Sequence, residues 1–218
     1  KMTPNSPTLL DARDALLAAA AAGDFNDLQA FWTAFAKRGA GVGAVAPDRF
    51  DATNTGVVES YVTGGDLIAV SRTLDVDVHD CDGDGYLDNG EVGHVTVTLK
   101  NTGSVNLSAT TLSLSSSNPH VGFPEGIAAS FPTLAPFTTA SVRLQIQLFG
   151  ASGPELLDVA ASYTDPGLAA AGPRTSTLYL RGNTDEVPSA VENVETLSPP
   201  WVASGAPLVT GQWKTVEV

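Results

Sequence analysis

Apolar and polar positions follow two different periods along this 218-residue chain. In the first part, apolar side chains recur three or four positions apart, as on one face of an α-helix. From about Asp66 onward they recur at every second position, as in β-strands that bury one face. The pattern therefore predicts a mainly β protein, an immunoglobulin-like β-sandwich preceded by a small helical segment.

The helical segment is predicted to occupy residues 1–63 and to contain two helices. The first is rich in leucine and alanine and ends at Gly23. The second begins at Asp24, a good N-cap residue, has Lys37 and Arg38 in its last turn, and ends at Gly39. Two short helices cannot bury an aromatic stripe between them, so the stripe must pack on another surface. It consists of Phe25, Leu28, Trp32 and Phe35.

Residues 66–182 are predicted to form the sandwich, with roughly seven strands separated by turns containing Asn, Gly and Pro. The alternating runs are Leu74–Val78, Val95–Leu99, Thr110–Leu114, Val142–Leu148, Leu157–Ser162 and Thr177–Leu180. The predicted core consists of Val76, Val95, Val97, Leu99, Leu112, Leu114, Val142, Leu144, Ile146 and Leu148. The polar, proline-bearing residues 183–218 are predicted to be a linker and the start of a further β-domain, or an extension paired onto the sandwich.

A twelve-residue motif, DCDGDGYLDNGE, lies between the first two predicted strands. Its carboxylates stand at positions 1, 3, 5, 9 and 12 and a glycine at position 6, which is the spacing of an EF-hand calcium loop. Because the flanks alternate, the loop is predicted to join strands and to hold a structural Ca²⁺, not to act as a calcium sensor. The predicted ligands are Asp80, Asp82, Asp84, Asp88, Glu91 and the backbone carbonyl of Tyr86.

The charge balance restricts the possible partners. The chain has 24 acidic against 11 basic residues and a formal net charge of −13. Such a chain repels nucleic acid and anionic membrane surfaces, and no apolar run is long enough to span a bilayer. Calcium is plentiful outside cells, so the loop and the charge predict a secreted protein. The single cysteine, Cys81, excludes an internal disulfide and is predicted to be an unpaired thiol without a catalytic role.

The N-terminal sequences DARDALL (11–17) and FWTAFAKRGAG (31–41) resemble the end of the catalytic domain of fungalysin-type zinc metallopeptidases. More distantly, they are similar to the C-terminal helices of thermolysin-like enzymes. This resemblance covers about the first 45 residues. The segment that contains the calcium motif resembles the immunoglobulin-like accessory domains of secreted bacterial enzymes. The resemblance implies that the chain is a piece of a larger enzyme and that its partner is the remainder of the catalytic lobe.

Fungalysin-type peptidases bind zinc through a His-Glu-x-x-His helix and a downstream glutamate. The three histidines of this chain are His79, His94 and His120, and none stands four residues from another. They are predicted to be solvated or packed in loops. No catalytic residue is therefore predicted in this chain, and Zn²⁺ is expected only in the missing part of the parent enzyme.

Two functions remain open from the sequence. The first is the non-catalytic C-terminal portion of a secreted zinc metallopeptidase, whose sandwich is a spacer, a stabiliser or a module that binds a protein or cell-surface substrate. The alternative is a free-standing extracellular calcium-dependent adhesion or binding module, in which the helices cap the sandwich. The aromatic stripe discriminates between them, because a cap buries it on the sandwich, whereas a lobe fragment exposes it or has it covered by another chain.

Overall fold

The structure is a computed structural model that describes residues 3–184, all of which lie in one compact unit. The helices are α1 (Leu9–Ala21) and α2 (Phe25–Ala36), and the strands are β1 (Leu67–His79), β2 (Val92–Asn101), β3 (Thr111–Ser115), β4 (Val121–Gly122), β5 (Ala128–Ser130), β6 (Thr139–Leu148), β7 (Glu155–Thr164) and β8 (Arg174–Gly182). They form two antiparallel four-stranded sheets, ordered β1-β2-β6-β4 and β5-β3-β7-β8. This confirms a mainly β fold with a sandwich after a small helical segment.

Every predicted run lies within or overlaps one of the long strands. The strands β4 and β5 were not predicted, because two or three residues are too few to show alternation. The predicted linker or further β-segment falls almost wholly outside the described residues. Its first two residues, Asn183 and Thr184, follow β8 directly.

The sandwich core lies between the two sheets, and eight of the ten predicted core residues are buried. The other two, Val76 and Val142, pack against the core but stay partly exposed. Val76 lies on β1, which is an edge strand. Val142 lies where β6 has only β2 beside it, because β4 pairs with β6 only at its far end. Each residue therefore lacks a covering strand on one side.

Both helices begin at strong caps. Thr8 and Asp11 form a reciprocal capping box at the start of α1, with N···O distances of 2.9 and 3.1 Å. Asp24 caps α2, as predicted, and accepts a hydrogen bond from the backbone of Asn26. The predicted end of α2 is wrong: the helix stops at Ala36, before both basic residues of the expected last turn.

The chain from residue 37 to residue 66 is not helical, which corrects the prediction of a helical pattern up to about residue 63. It runs in extended and turn conformations, with isolated bridges between Ala40 and Ser60 and between Val45 and Val58. A glycine allows two parts of this segment to come close together. A Cβ at Gly41 would clash with the backbone of the 60–62 segment, so this close approach needs a glycine.

The helical segment has a small core of its own, which we call the helical core. It consists of Leu17, Leu28, Trp32 and Val42, against which Phe137 and Ala169 of the sandwich pack. Arg13 is also buried there and donates hydrogen bonds to the carbonyls of Ala40 and Gly41, both at 2.9 Å. Its guanidinium lies over the Trp32 ring, 5.1 Å from the centroid. The helices are therefore held both by their own loop and by the sandwich.

Candidate metal centre

The predicted calcium loop joins β1 to β2, so strands flank it on both sides as expected. It lies at one end of the sandwich and contacts both sheets. Leu87 is fully buried in the core and bridges Gly182 of β8, whereas Asn89 bridges Leu148 of β6. The loop is therefore attached to the sandwich by its second half.

In the first half of the loop, aspartate carboxylates accept hydrogen bonds from the loop's own backbone and form tight turns. Asp80 Oδ1 accepts a hydrogen bond from the backbone N–H of Gly83 at 2.6 Å, and Asp84 Oδ1 accepts one from Tyr86 at 2.7 Å. Gly85, at loop position 6, has φ +81°, a conformation that side chains with a Cβ rarely adopt. The glycine that the motif requires is thus needed by the backbone.

The structure brings all five predicted carboxylates together. They form two overlapping groups, in each of which the candidate oxygen atoms lie within 4.8 Å of one another. Two oxygens that bind one Ca²⁺ at about 2.3–2.6 Å can be at most about 5 Å apart, so this spacing suits a shared ion. The groups are Asp80, Asp82 and Glu91, and Asp82, Asp84 and Asp88.

Glu91, at loop position 12, is fully buried. Its Oε1 accepts a hydrogen bond from the Cys81 backbone at 2.5 Å, and its Oε2 accepts one from the Asp88 backbone at 2.9 Å. These bonds hold the carboxylate across the loop and join its first residues to its last. Such an orientation is compatible with binding an ion through both oxygens.

The negative charge of the loop has no cationic partner in residues 3–184, because none of their ion pairs involves a loop carboxylate. Asp84 Oδ2 is buried and receives no hydrogen bond from the described residues. Burial raises the pKa of Asp88, and the nearby Asp84 and Glu91 charges raise it further. A buried oxygen without a donor, in an all-oxygen ligand set, fits a hard cation such as Ca²⁺.

Cys81 has a neighbour that sequence reasoning missed. His79 Nδ1 lies 3.7 Å from its Sγ, because residues two apart on an extended chain point to the same side. Cys81 is exposed, but partial desolvation by the loop around it, followed by the charges of Glu91 and the loop aspartates, raises the pKa of its thiol. The thiol therefore stays protonated near neutral pH and is a weak nucleophile.

The other two histidines each contact a carboxylate. His94 Nδ1 lies 2.6 Å from Asp77 Oδ1 on the outer face of the first sheet, and Arg143 also contacts Asp77. His120 Nδ1 lies 2.8 Å from Glu155 Oε1. These are pairings between a histidine and a carboxylate on the surface of the sandwich.

We expect Asp77→Asn to reduce the loss of stability at acidic pH. Hydrogen bonds from His94 and then Arg143 lower the pKa of Asp77 in the folded protein. Asp77 therefore stabilises the fold above its unfolded pKa of about 4, and this contribution is lost as the pH falls through the lower folded pKa. Urea unfolding between about pH 5 and pH 2 should show a shallower decline for the variant than for the unmodified protein.

Asp75→Asn is the matched control for Asp77→Asn. Asp75 lies on the same strand, and its carboxylate accepts no hydrogen bond from the described residues. An equally shallow acid decline in both variants would show that the Asp77 pairings do not cause the effect.

Comparison with known families gives one match. Residues 1–44 match the model of the family described as fungalysin metallopeptidase (M36). This part of the chain is similar to fungalysins. The match covers α1, α2 and the turn that Arg13 holds, and it ends before the sandwich. Comparison with curated proteins gives no match.

Solved structures resemble the chain only weakly. Escherichia coli alpha-2-macroglobulin in its native conformation is 12% identical, covering 53% of this chain and 6% of that one, with a TM-score of 0.41. A family 123 glycoside hydrolase from Clostridium perfringens is 14% identical, covering 53% of this chain and 26% of that one, with a TM-score of 0.31. Likenesses at this level identify no activity, ligand or partner for this chain. Within residues 3–184, neither helix is long and apolar enough to cross a membrane.

Proposed function

We propose that this chain is the non-catalytic C-terminal portion of a secreted zinc metallopeptidase, in which a calcium-stabilised sandwich follows the last helices of the catalytic lobe. The observation that supports this most is the family match, because it coincides with α1, α2 and their buried arginine. The zinc, and the hydrolysis that it promotes, would belong to the remainder of the enzyme.

Exposed apolar side chains on the helices support a covering partner. Leu9 and Leu16 are 72% and 54% exposed, and Phe25 and Phe31 are 53% and 44% exposed. The two leucines are seven positions apart and therefore lie on the same side of α1. Large apolar side chains left uncovered on a short segment are typical of a surface that binds another part of a protein. The proposed partner is the remainder of the metallopeptidase lobe.

The proposed role of calcium is to hold the β1–β2 loop in its folded form. The side chains that would bind the ion are Asp80, Asp82, Asp84, Asp88 and Glu91, with the carbonyl of Tyr86. Without a cation, mutual repulsion of the carboxylates disfavours this compact loop. Because calcium is abundant outside cells, the site supports secretion. The sandwich then serves as a spacer, a stabiliser or a module that binds a protein or cell-surface substrate.

One observation favours the second candidate, a free-standing calcium-dependent binding module. The aromatic stripe is divided: Leu28 and Trp32 are buried in the helical core, to which the sandwich contributes Phe137 and Ala169. Phe35 is partly buried and packs against the same core. These three residues are covered as expected for a cap on the sandwich, whereas Phe25 is more than half exposed.

The two candidates differ in the metals and chains of the native material. The protein would be purified from its source without chelators, and its polypeptides and metals would be measured by denaturing mass spectrometry and elemental analysis. Stoichiometric zinc and calcium, with further metallopeptidase sequence in the same or a second polypeptide, is the expected result. This chain alone with calcium and no zinc would favour the binding module. Absence of calcium would contradict the proposed metal site.

A further inference from the structure

The chain leaving the sandwich contacts the candidate calcium loop directly. β8 ends at Gly182, which bridges Leu87 in the second half of the loop. The next residue, Asn183, donates its backbone N–H to the carbonyl of Leu87 at 3.1 Å. The backbone pairing between β8 and the loop therefore continues one residue beyond the end of the strand.

Two further hydrogen bonds continue this contact. The backbone N–H of Thr184 donates to Asp88 Oδ1 at 2.9 Å, and the backbone N–H of Asn89 donates to the side-chain Oδ1 of Asn183 at 3.2 Å. We call residues 182–184 and these bonds the junction. Asp88 therefore has two roles: it is a candidate metal ligand, and it accepts a hydrogen bond from the backbone N–H of Thr184.

We propose that calcium binding fixes the junction and thereby controls how accessible the following chain is to proteases. This inference rests on the calcium site proposed above. A bound cation would hold Asp88 among the other carboxylates, with its Oδ1 still facing Thr184. Without the cation, repulsion from Asp84 and Glu91 favours displacement of Asp88, and the acceptor moves away from the amide.

The junction can open without unfolding the sandwich. Asn183 and Thr184 lie beyond the end of β8, and both are partly exposed. Segments held by a few exposed backbone hydrogen bonds open locally at much lower cost than the core. Calcium would therefore change the local opening of the junction more than the opening of the strands.

Limited proteolysis of the full chain tests this. A glutamate-specific serine protease cleaves after Glu186, two residues beyond Thr184. A protease binds several residues before the bond that it cleaves, and for this bond they include Asn183 and Thr184. Cleavage therefore requires these two residues to leave their hydrogen bonds to the loop, which opens the junction. We expect cleavage after Glu186 to be roughly tenfold slower in calcium than in EGTA, as the loss of one charge-assisted hydrogen bond implies. Cleavage after the exposed Glu59, in the helical segment, is the internal reference and should not change.

Thr184→Pro removes the amide that donates to Asp88 and leaves every loop carboxylate in place. The matched control, Thr184→Ala, keeps that amide. Calcium should slow cleavage after Glu186 in the alanine variant but not in the proline variant, while calorimetry shows calcium binding in both. If the unmodified chain binds calcium but is cleaved at equal rates with and without it, the junction inference is wrong and the calcium site stands. If calorimetry shows no binding, the calcium site itself fails, and the inference with it.

Discussion

Asp84→Asn is expected to lower the melting temperature of the sandwich in calcium and to leave it unchanged or raise it in EGTA. In calcium, the variant replaces a charged ligand by a neutral amide at a position whose Oδ2 is buried without a hydrogen-bond donor. In EGTA, the same substitution removes one of five clustered negative charges and relieves their repulsion. The opposite signs follow because Asp84 is unfavourable without the ion and favourable with it.

The effect in calcium should be large. An ion at a hundredfold excess over its dissociation constant stabilises the folded state by about 2.7 kcal/mol. For a domain of this size, that free energy corresponds to a shift of roughly 5–10 °C in melting temperature. Differential scanning calorimetry of the unmodified protein should show this shift between EGTA and calcium, and Asp84→Asn should lose most of it.

Asp27→Asn is the control for the change of charge. Asp27 is exposed on α2, far along the chain from the loop, and its carboxylate accepts no hydrogen bond from the described residues. Its calcium shift should equal that of the unmodified protein. Equal destabilisation of Asp84→Asn in calcium and in EGTA would mean that Asp84 has only a structural role.

Glu91→Ala gives a different pattern, since Glu91 has a structural role as well. Its two oxygens accept hydrogen bonds from the Cys81 and Asp88 backbones, and the side chain is fully buried. We expect this variant to melt at a lower temperature in both conditions and to lose its sensitivity to chelator. An unchanged melting temperature for both loop variants would contradict the calcium proposal.

The candidate site could be predicted because its information is local. Twelve consecutive residues hold all five carboxylates, and alternation on either side shows that strands flank them. The junction could not be predicted in this way. Asp88 and Thr184 are 96 positions apart, and their contact depends on how the two sheets pack. No local pattern records such a pairing.

In the helical segment, the sequence pattern predicted some features and missed others. The N-cap at Asp24 was predictable, because capping depends on neighbouring residues. The end of α2 was not, since the basic residues and glycine that usually mark a C-terminus stand just beyond the last helical turn. The burial of Arg13 had no signal in the sequence, because arginine is usually exposed and its acceptors lie 27 and 28 positions away.

Arg13→Met is expected to destabilise the helical segment by about 2–4 kcal/mol. Methionine keeps an unbranched apolar stem but cannot donate to the Ala40 and Gly41 carbonyls, which would then lack a charged donor in a buried site. It also removes the cation over the Trp32 ring. Urea unfolding followed by far-UV circular dichroism should show the loss as a lower midpoint or an early helical transition.

Arg38→Met is the matched control, because Arg38 is exposed and its side chain makes no hydrogen bond within the described residues. A loss for Arg13→Met no greater than that for Arg38→Met would contradict the buried role. The calcium shift provides a second check. Arg13 shares no contact with the calcium loop, and distant sites without shared partners contribute additively to stability. Arg13→Met should therefore retain the full calcium shift of the sandwich, even as the segment that matches the fungalysin family loses stability.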